Sequence, residues 1–297
     1  MDSWNFNQAA LFSNYLGAQK TMDTSFWLRM EEKLLENLYF DNKSGHLIPV
    51  FLEGFISRDF DISFNLLSSY LLFLQQNHKK LYGNTLAHIT KCLIQMKKHY
   101  KDERLTEDYK KISNFLVEKS KNNLPLLDFQ GLANLSMILR LEDQLTDKFC
   151  SYVEAEVSAG LQIEKRQVYQ LYQAWQPSSK GSINFWSDLT GFVLEESVKE
   201  GGKDLNEVLE FVESVGFLEE ESKKKIEGIV GEVAEKIEIA YFMNLVEKVG
   251  KMELKDGEMW GKLEKRVEEF WKYFDGKEKE ALRKVFGDKG KMEFWRA

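Results

Sequence analysis

Few residues of this sequence are suited to bind a metal or to carry out acid–base chemistry. His88 and Cys92 are four residues apart on a predicted helix, so both could face one metal ion. A zinc site takes three or four ligands, and the nearest further candidates, His78 and His99, have no supporting spacing. We therefore interpret the pair as a buried cysteine beside a surface histidine, and we expect no metal and no other cofactor.

Several carboxylates occur as adjacent residues, as at Glu195–Glu196 and Glu268–Glu269. Neighbouring residues of a helix point to different sides, which suits a solvated surface more than shared acid–base work. The motifs of serine hydrolases, zinc proteases, phosphate-binding loops and dinucleotide-binding folds do not occur. The sequence therefore predicts a protein that is not an enzyme, with no catalytic residues and no evident small-molecule substrate.

Basic residues cluster between His78 and Lys121, with Tyr82 and Tyr100 among them. Stacked helices could gather several of these side chains on one face, as a footprint for RNA or for an acidic protein. Ordinary solvated helix faces are the alternative, and the net charge of −7 argues mildly against nucleic acid. The predicted partner-binding residues are Lys79, Lys80, Lys97, Lys98, Lys101, Arg104, Lys110 and Lys111.

The composition indicates which elements must position these residues. Charged residues make up 30% of the chain and apolar residues 43%, with only three prolines. Many Lys, Glu and Leu residues favour helix throughout, because their straight side chains lose little rotamer freedom there. The two distant cysteines suggest a reducing compartment or core filling. No apolar run reaches the length of about 18 residues that a membrane helix needs, so none is expected.

An amphipathic phrase recurs along the chain. An aromatic residue, Met or, in a degenerate copy, Ser is followed by apolar residues four and eight positions later, starting at Phe149, Phe185, Ser222 and Met259. These starts are 36, 37 and 37 residues apart. A second amphipathic helix precedes each phrase, as in Phe129–Leu141 and Arg166–Trp175. A spacing near 37 residues accommodates two helices and two turns.

Turn chemistry supports the predicted helix boundaries. Asp128 is a plausible N-cap of Phe129–Leu141, one of the helices that precede a recurring phrase. Thr106, Thr146 and Ser182 are plausible N-caps of helices that carry the phrase itself. We predict an all-α, right-handed α-solenoid of stacked antiparallel helix pairs with a period near 37 residues. The predicted divisions are irregular helical hairpins in residues 1–122, regular repeats in 123–275 and a C-terminal cap in 276–297.

The phrase "FQGLANLSMILRLEDQLTDKFCSYVEAEV", Phe129 to Val157, resembles a heptatricopeptide repeat, within the superclass that includes pentatricopeptide repeats. The resemblance covers roughly 124–274 and is poor in the N-terminal part. It implies organellar work, typically RNA binding or service in a mitochondrial ribonucleoprotein. Mitochondrial localisation is expected on this resemblance alone; otherwise the protein would be cytoplasmic.

The function expected from this reading is a scaffold or binding subunit of a large mitochondrial assembly, with a ribosome or another ribonucleoprotein favoured. Two alternatives stay open. The chain could be a direct organellar RNA-binding factor that uses the basic residues, or a protein-only accessory subunit of a respiratory-chain or ATP synthase complex. The expected partners are other proteins of a large complex and possibly RNA.

Overall fold

The structure, a computed structural model, describes residues 5–19, 23–38, 45–58, 61–199, 204–215, 220–252 and 254–287. In these residues all regular secondary structure is helical. The α-helices are α1 Phe6–Gln19, α2 Thr24–Glu36, α3 Leu47–Arg58, α4 Phe64–Asn77, α5 Gly83–Gln95, α6 Glu103–Asn122, α7 Phe129–Leu141, α8 Asp147–Ser158, α9 Lys165–Trp175, α10 Ile183–Lys199, α11 Leu205–Val215, α12 Glu220–Ala234, α13 Ile239–Lys251, α14 Gly257–Phe270 and α15 Gly276–Gly287.

The predicted all-helical fold class is confirmed, and most predicted caps lie where the sequence placed them. Asp128 accepts a hydrogen bond from the Gly131 backbone N–H, and Thr146 and Ser182 cap α8 and α10 in the same way. The predicted cap at Thr106 is wrong, because α6 begins three residues earlier at Glu103. The Thr106 hydroxyl instead donates to the carbonyl oxygens of Tyr100 and Asp102.

The chain divides into two compact units, residues 1–180 and 181–297. In the first unit the odd-numbered helices pack in chain order, α1 on α3, α3 on α5, α5 on α7 and α7 on α9. The even-numbered helices α2, α4 and α6 form a second series. Large side chains fill the space between the two series, among them Trp27, Phe51 and Phe55, each fully buried.

The helices α1 and α3 touch through their backbones. A Cβ atom on Gly54 would overlap the Ser13 hydroxyl and carbonyl oxygens, and one on Gly17 would lie 2.7 Å from the Gly54 Cα. The buried Ser13 hydroxyl donates to the Phe51 carbonyl oxygen at 3.0 Å. Glycine is needed at both positions because any side chain would force the helices apart.

The second unit repeats the alternating arrangement. The helix α10 packs on α12 and α12 on α14, whereas α11 packs on α13 and α13 on α15. Aromatic contacts close its core, including Trp260 on Phe286 at a ring-centroid distance of 5.3 Å. Leu282 and Phe286 of α15 are buried, and residues 288–297 lie outside the described residues. The predicted three-part division of the chain stays a prediction.

Among the described helices, none is both long enough and apolar enough to cross a membrane.

Candidate functional site

A polar cavity of about 240 Å³ lies on the odd-numbered helices of the first unit. Five successive members of that series, α1, α3, α5, α7 and α9, contribute to its walls. The lining is rich in amide and charged side chains and consists of Asn14, Glu53, Ile56, Ser57, Lys91, Gln95, Ala133, Asn134, Met137, Arg166, Gln170 and Gln173.

The shared cavity shows that this helix series curves. Packed helices lie roughly 8–10 Å apart, so five in a flat layer would separate α1 from α9 by roughly 30–40 Å. Side chains of both helices nevertheless line one small cavity. The odd-numbered helices therefore form the concave side of the first unit, and the cavity lies within that concavity.

At one wall of the cavity Glu53 accepts three hydrogen bonds. Its Oε1 lies 2.5 Å from the Lys91 Nζ and 2.8 Å from the His88 Nε2, and its Oε2 accepts from the Asn14 amide at 2.9 Å. His88 and Lys91 are three residues apart on α5 and so share the face that meets α3. The close backbone approach of α1 to α3 places Asn14 within reach of the carboxylate.

The charges in this network stabilise ionised Glu53. Burial opposes ionisation, but the hydrogen bond from His88 and the positive charge of Lys91 outweigh it and lower the pKa of Glu53 to about 2. The Lys91 side chain is only 8% exposed, so its ammonium group depends on Glu53 for charge compensation. The arrangement is a buried ion pair with two further hydrogen-bonding partners.

The structure adds Glu53 to the His88 and Cys92 pair considered from the sequence. One ligating atom from each of these three residues lies within 4.8 Å of the other two. Burial raises the pKa of the Cys92 thiol well above its ordinary range, and the thiol donates to the Pro49 carbonyl oxygen at 3.5 Å. Since the Lys91 ammonium already supplies the cation beside Glu53, a metal ion would have to displace it, and we assign no metal to this cluster.

Sequence reasoning could not find this network. Glu53 is 35 residues from His88, on a helix whose pairing with α5 no local spacing reveals. The available signal was a single acidic residue in the otherwise apolar stretch Ile48–Ile56. Such a residue requires a partner if the helix is buried.

The ion pair predicts acid sensitivity of the first unit. The pKa of Glu53 is 4.5 when unperturbed and about 2 in the fold, so its contribution to the free energy of unfolding is complete above about pH 4.5. As the pH falls from there towards 2, a contribution on the order of 3 kcal/mol is lost. Urea unfolding at pH 6, 4 and 3 should show this decline, and Glu53→Gln should show a smaller one. An equal decline in both proteins would refute the assignment.

The predicted basic residues do not all lie together. Lys79 and Lys80 are in the turn after α4, where Lys119 of the last turn of α6 donates to the carbonyl oxygens of His78 and Lys79. Lys97 and Lys98 belong to the 3-10 helix Met96–His99, next to the first turn of α6. Because α6 has 20 residues and so a length of about 30 Å, these two pairs lie at its opposite ends.

The remaining basic residues lie just before α6 and on it, and some of the predicted basic residues have acidic partners. Lys101 precedes α6, and Arg104, Lys110 and Lys111 lie on it. The Lys111 ammonium lies 2.7 Å from a Glu107 carboxylate oxygen, and the Lys97 ammonium lies 3.1 Å from Glu142. These pairs reduce the local positive charge that a polyanion would meet. The basic residues remain predicted partner contacts, and the cavity is a second, separate candidate.

A comparison of the sequence with known protein families finds no match, and no curated protein matches it either.

Proposed function

We propose that the chain is a non-catalytic helical-repeat subunit that holds a partner on the concave side of its first unit. Each unit would be a segment of a right-handed α-solenoid. The observation that carries the proposal is the polar cavity to which five successive helices contribute. A curved helix layer with a polar concave side presents a long, adaptable surface to an extended partner.

The spacing of the helices supports the repeat architecture. The helices α8, α10, α12 and α14 begin at Asp147, Ile183, Glu220 and Gly257, at intervals of 36, 37 and 37 residues. In each unit, alternate helices pack on one another. Both features agree with stacked helix pairs, in which each pair buries the apolar face of its neighbour.

Exposed apolar side chains on α1 support membership of a larger assembly. Leu11 is 57% exposed and Tyr15 is 60% exposed, on a helix whose other face is buried against α3. Neighbouring exposed apolar residues often mark a protein contact. The proposed assembly is mitochondrial, with a ribosome or another ribonucleoprotein favoured, because the sequence resembles organellar repeats. A protein-only respiratory-chain or ATP synthase complex is the second candidate.

Native purification of the tagged chain, with mass spectrometry and RNA sequencing of what accompanies it, tests this proposal. We expect a large particle that stays intact in moderate salt. Ribosomal RNA in the particle would support the ribosome, and its absence together with respiratory or synthase subunits would support the alternative. Recovery of the chain free of any partner would contradict both.

Direct RNA binding makes a separate prediction. If the basic residues bind phosphate groups, affinity for single-stranded RNA falls steeply with salt and falls further in Lys98→Glu. The matched control is Lys148→Glu, which makes the same charge change on α8, outside the basic segment. Filter binding at 50 and 200 mM salt measures both effects. Equal retention of RNA by the two variants would rule out the predicted basic residues as an RNA-binding site.

A further inference from the structure

One wall of the cavity carries a buried donor that has no acceptor among the described residues. Asn134 of α7 lines the cavity and is only 2% exposed. Its Oδ1 accepts a hydrogen bond from the Gln130 amide at 3.4 Å, whereas its Nδ2 has no hydrogen-bond partner among the described residues. Buried polar groups in folded proteins are nearly always hydrogen-bonded, so such a group indicates a partner that the chain itself does not supply.

The same cavity is lined by a cation that has no counter-ion among the described residues. Arg166 of α9 lines it, is exposed to solvent and makes no ion pair with any described acidic residue. The other basic group of the lining, Lys91, is paired with Glu53. The lining thus has two positive groups and one negative group, and the unbalanced charge belongs to Arg166.

We propose that this cavity binds a single carboxylate group, with Arg166 and Asn134 as its hydrogen-bond donors. The planar guanidinium presents two parallel N–H groups that match the two oxygens of a carboxylate. One unbalanced positive charge matches a monoanion. A phosphate dianion would lack a second cation and would lie in the same cavity as Glu53. Amides of Gln95, Gln170 and Gln173 provide further polar contacts around the group.

The carboxylate site rests on the proposed binding role and specifies which chemical group of a partner the concave side recognises. A carboxylate can come from the end of a partner chain or from a small free acid. Both sources share the recognised group and differ in what extends beyond it, so the probes below separate them.

Ligand-observed NMR on the full chain tests the proposal with three matched probes. N-acetylglycine carries the carboxylate, N-acetylglycinamide has the same size without charge, and inorganic phosphate is the competing anion. We expect saturable binding of N-acetylglycine in the millimolar range, at least tenfold weaker binding of the amide, and no displacement of N-acetylglycine by equimolar phosphate. Equal binding of acid and amide, or preferred binding of phosphate, would overturn the proposal.

Variants localise the binding. Arg166→Gln should weaken N-acetylglycine binding about tenfold, and Asn134→Leu, which keeps the number and branching of the side-chain heavy atoms but removes the donor, should weaken it too. Lys148→Gln removes the same charge from α8 and should leave binding unchanged. Because Arg166 is exposed, its substitution leaves the fold intact, so undiminished binding by Arg166→Gln would exclude this site.

A last probe distinguishes the two sources. The peptide acetyl-Ala-Ala-Ala-Ala-Gly with a free carboxylate should bind more tightly than N-acetylglycine if the site takes the end of a partner chain. Equal affinity would assign the site to a small free acid. Failure of all the acids, with native partners still recovered on purification, would refute the carboxylate site and leave the proposed subunit role standing.

Discussion

Replacing Glu53 with Gln is expected to lower the free energy of unfolding of the first unit by about 3–5 kcal/mol, because the other member of a buried ion pair is left without a counter-charge. The Lys91 side chain is 8% exposed and its ammonium group lies 2.5 Å from the carboxylate that the substitution removes. Asn14 and His88 also lose a charged acceptor. Hydrogen exchange of the α3 and α5 amides across a urea series measures the change.

Two controls distinguish this explanation from a general effect of the substitution. Glu107→Gln removes the exposed ion pair with Lys111 and should leave stability unchanged within error. The double variant Glu53→Leu with Lys91→Met replaces the buried pair with apolar groups and should recover most of the lost stability. A double variant as unstable as Glu53→Gln would show that the unpaired ammonium is not the cause.

The second large effect is expected for Gly54→Ala, which should destabilise the first unit by about 1–3 kcal/mol or more. The new Cβ would overlap backbone atoms of Ser13, which cannot rotate away as the end of a side chain can. The helices α1 and α3 must then separate, which also breaks the hydrogen bond from Ser13 to Phe51. Thermal unfolding followed by helix circular dichroism measures the loss.

The matched control is Gly261→Ala in the middle of α14, where a Cβ has no atom within 4 Å. This substitution should stabilise the second unit by roughly 0.5–1 kcal/mol, because alanine restricts the unfolded chain and favours helix. Opposite signs at the two glycines would show that backbone contact, rather than helix propensity, decides the result at Gly54. Stabilisation by both substitutions would contradict the close contact of α1 with α3.

The sequence predicts local structure well where one helix face carries the signal. Val168, Leu171 and Trp175 step by three and four residues, and all three are buried on α9. Caps such as Asp128 mark boundaries because their side chains bond to the backbone only three residues away. The cap at Thr106 was wrong because the hydroxyl of a Thr within a helix also bonds to the carbonyl oxygen four residues earlier, as this one does to Asp102.

The candidate site depends on contacts between residues distant in sequence, which periodicity does not encode. Asn14, Glu53 and Lys91 come from three helices, and their meeting depends on how tightly those helices pack. The basic residues illustrate the same limit. Lys79 and Lys97 are near one another in sequence but lie at opposite ends of α6, because the chain traverses α5 between them.

The curvature of the first unit has a mechanical consequence. Four interfaces, from α1–α3 to α7–α9, separate the first wall of the cavity from the last. Tilts of a few degrees at successive interfaces add up, so small rotations of the individual helices produce a large change in the distance between Asn14 and Arg166. Substitutions of buried residues in any of these interfaces should therefore change ligand affinity even where the substituted residue does not line the cavity.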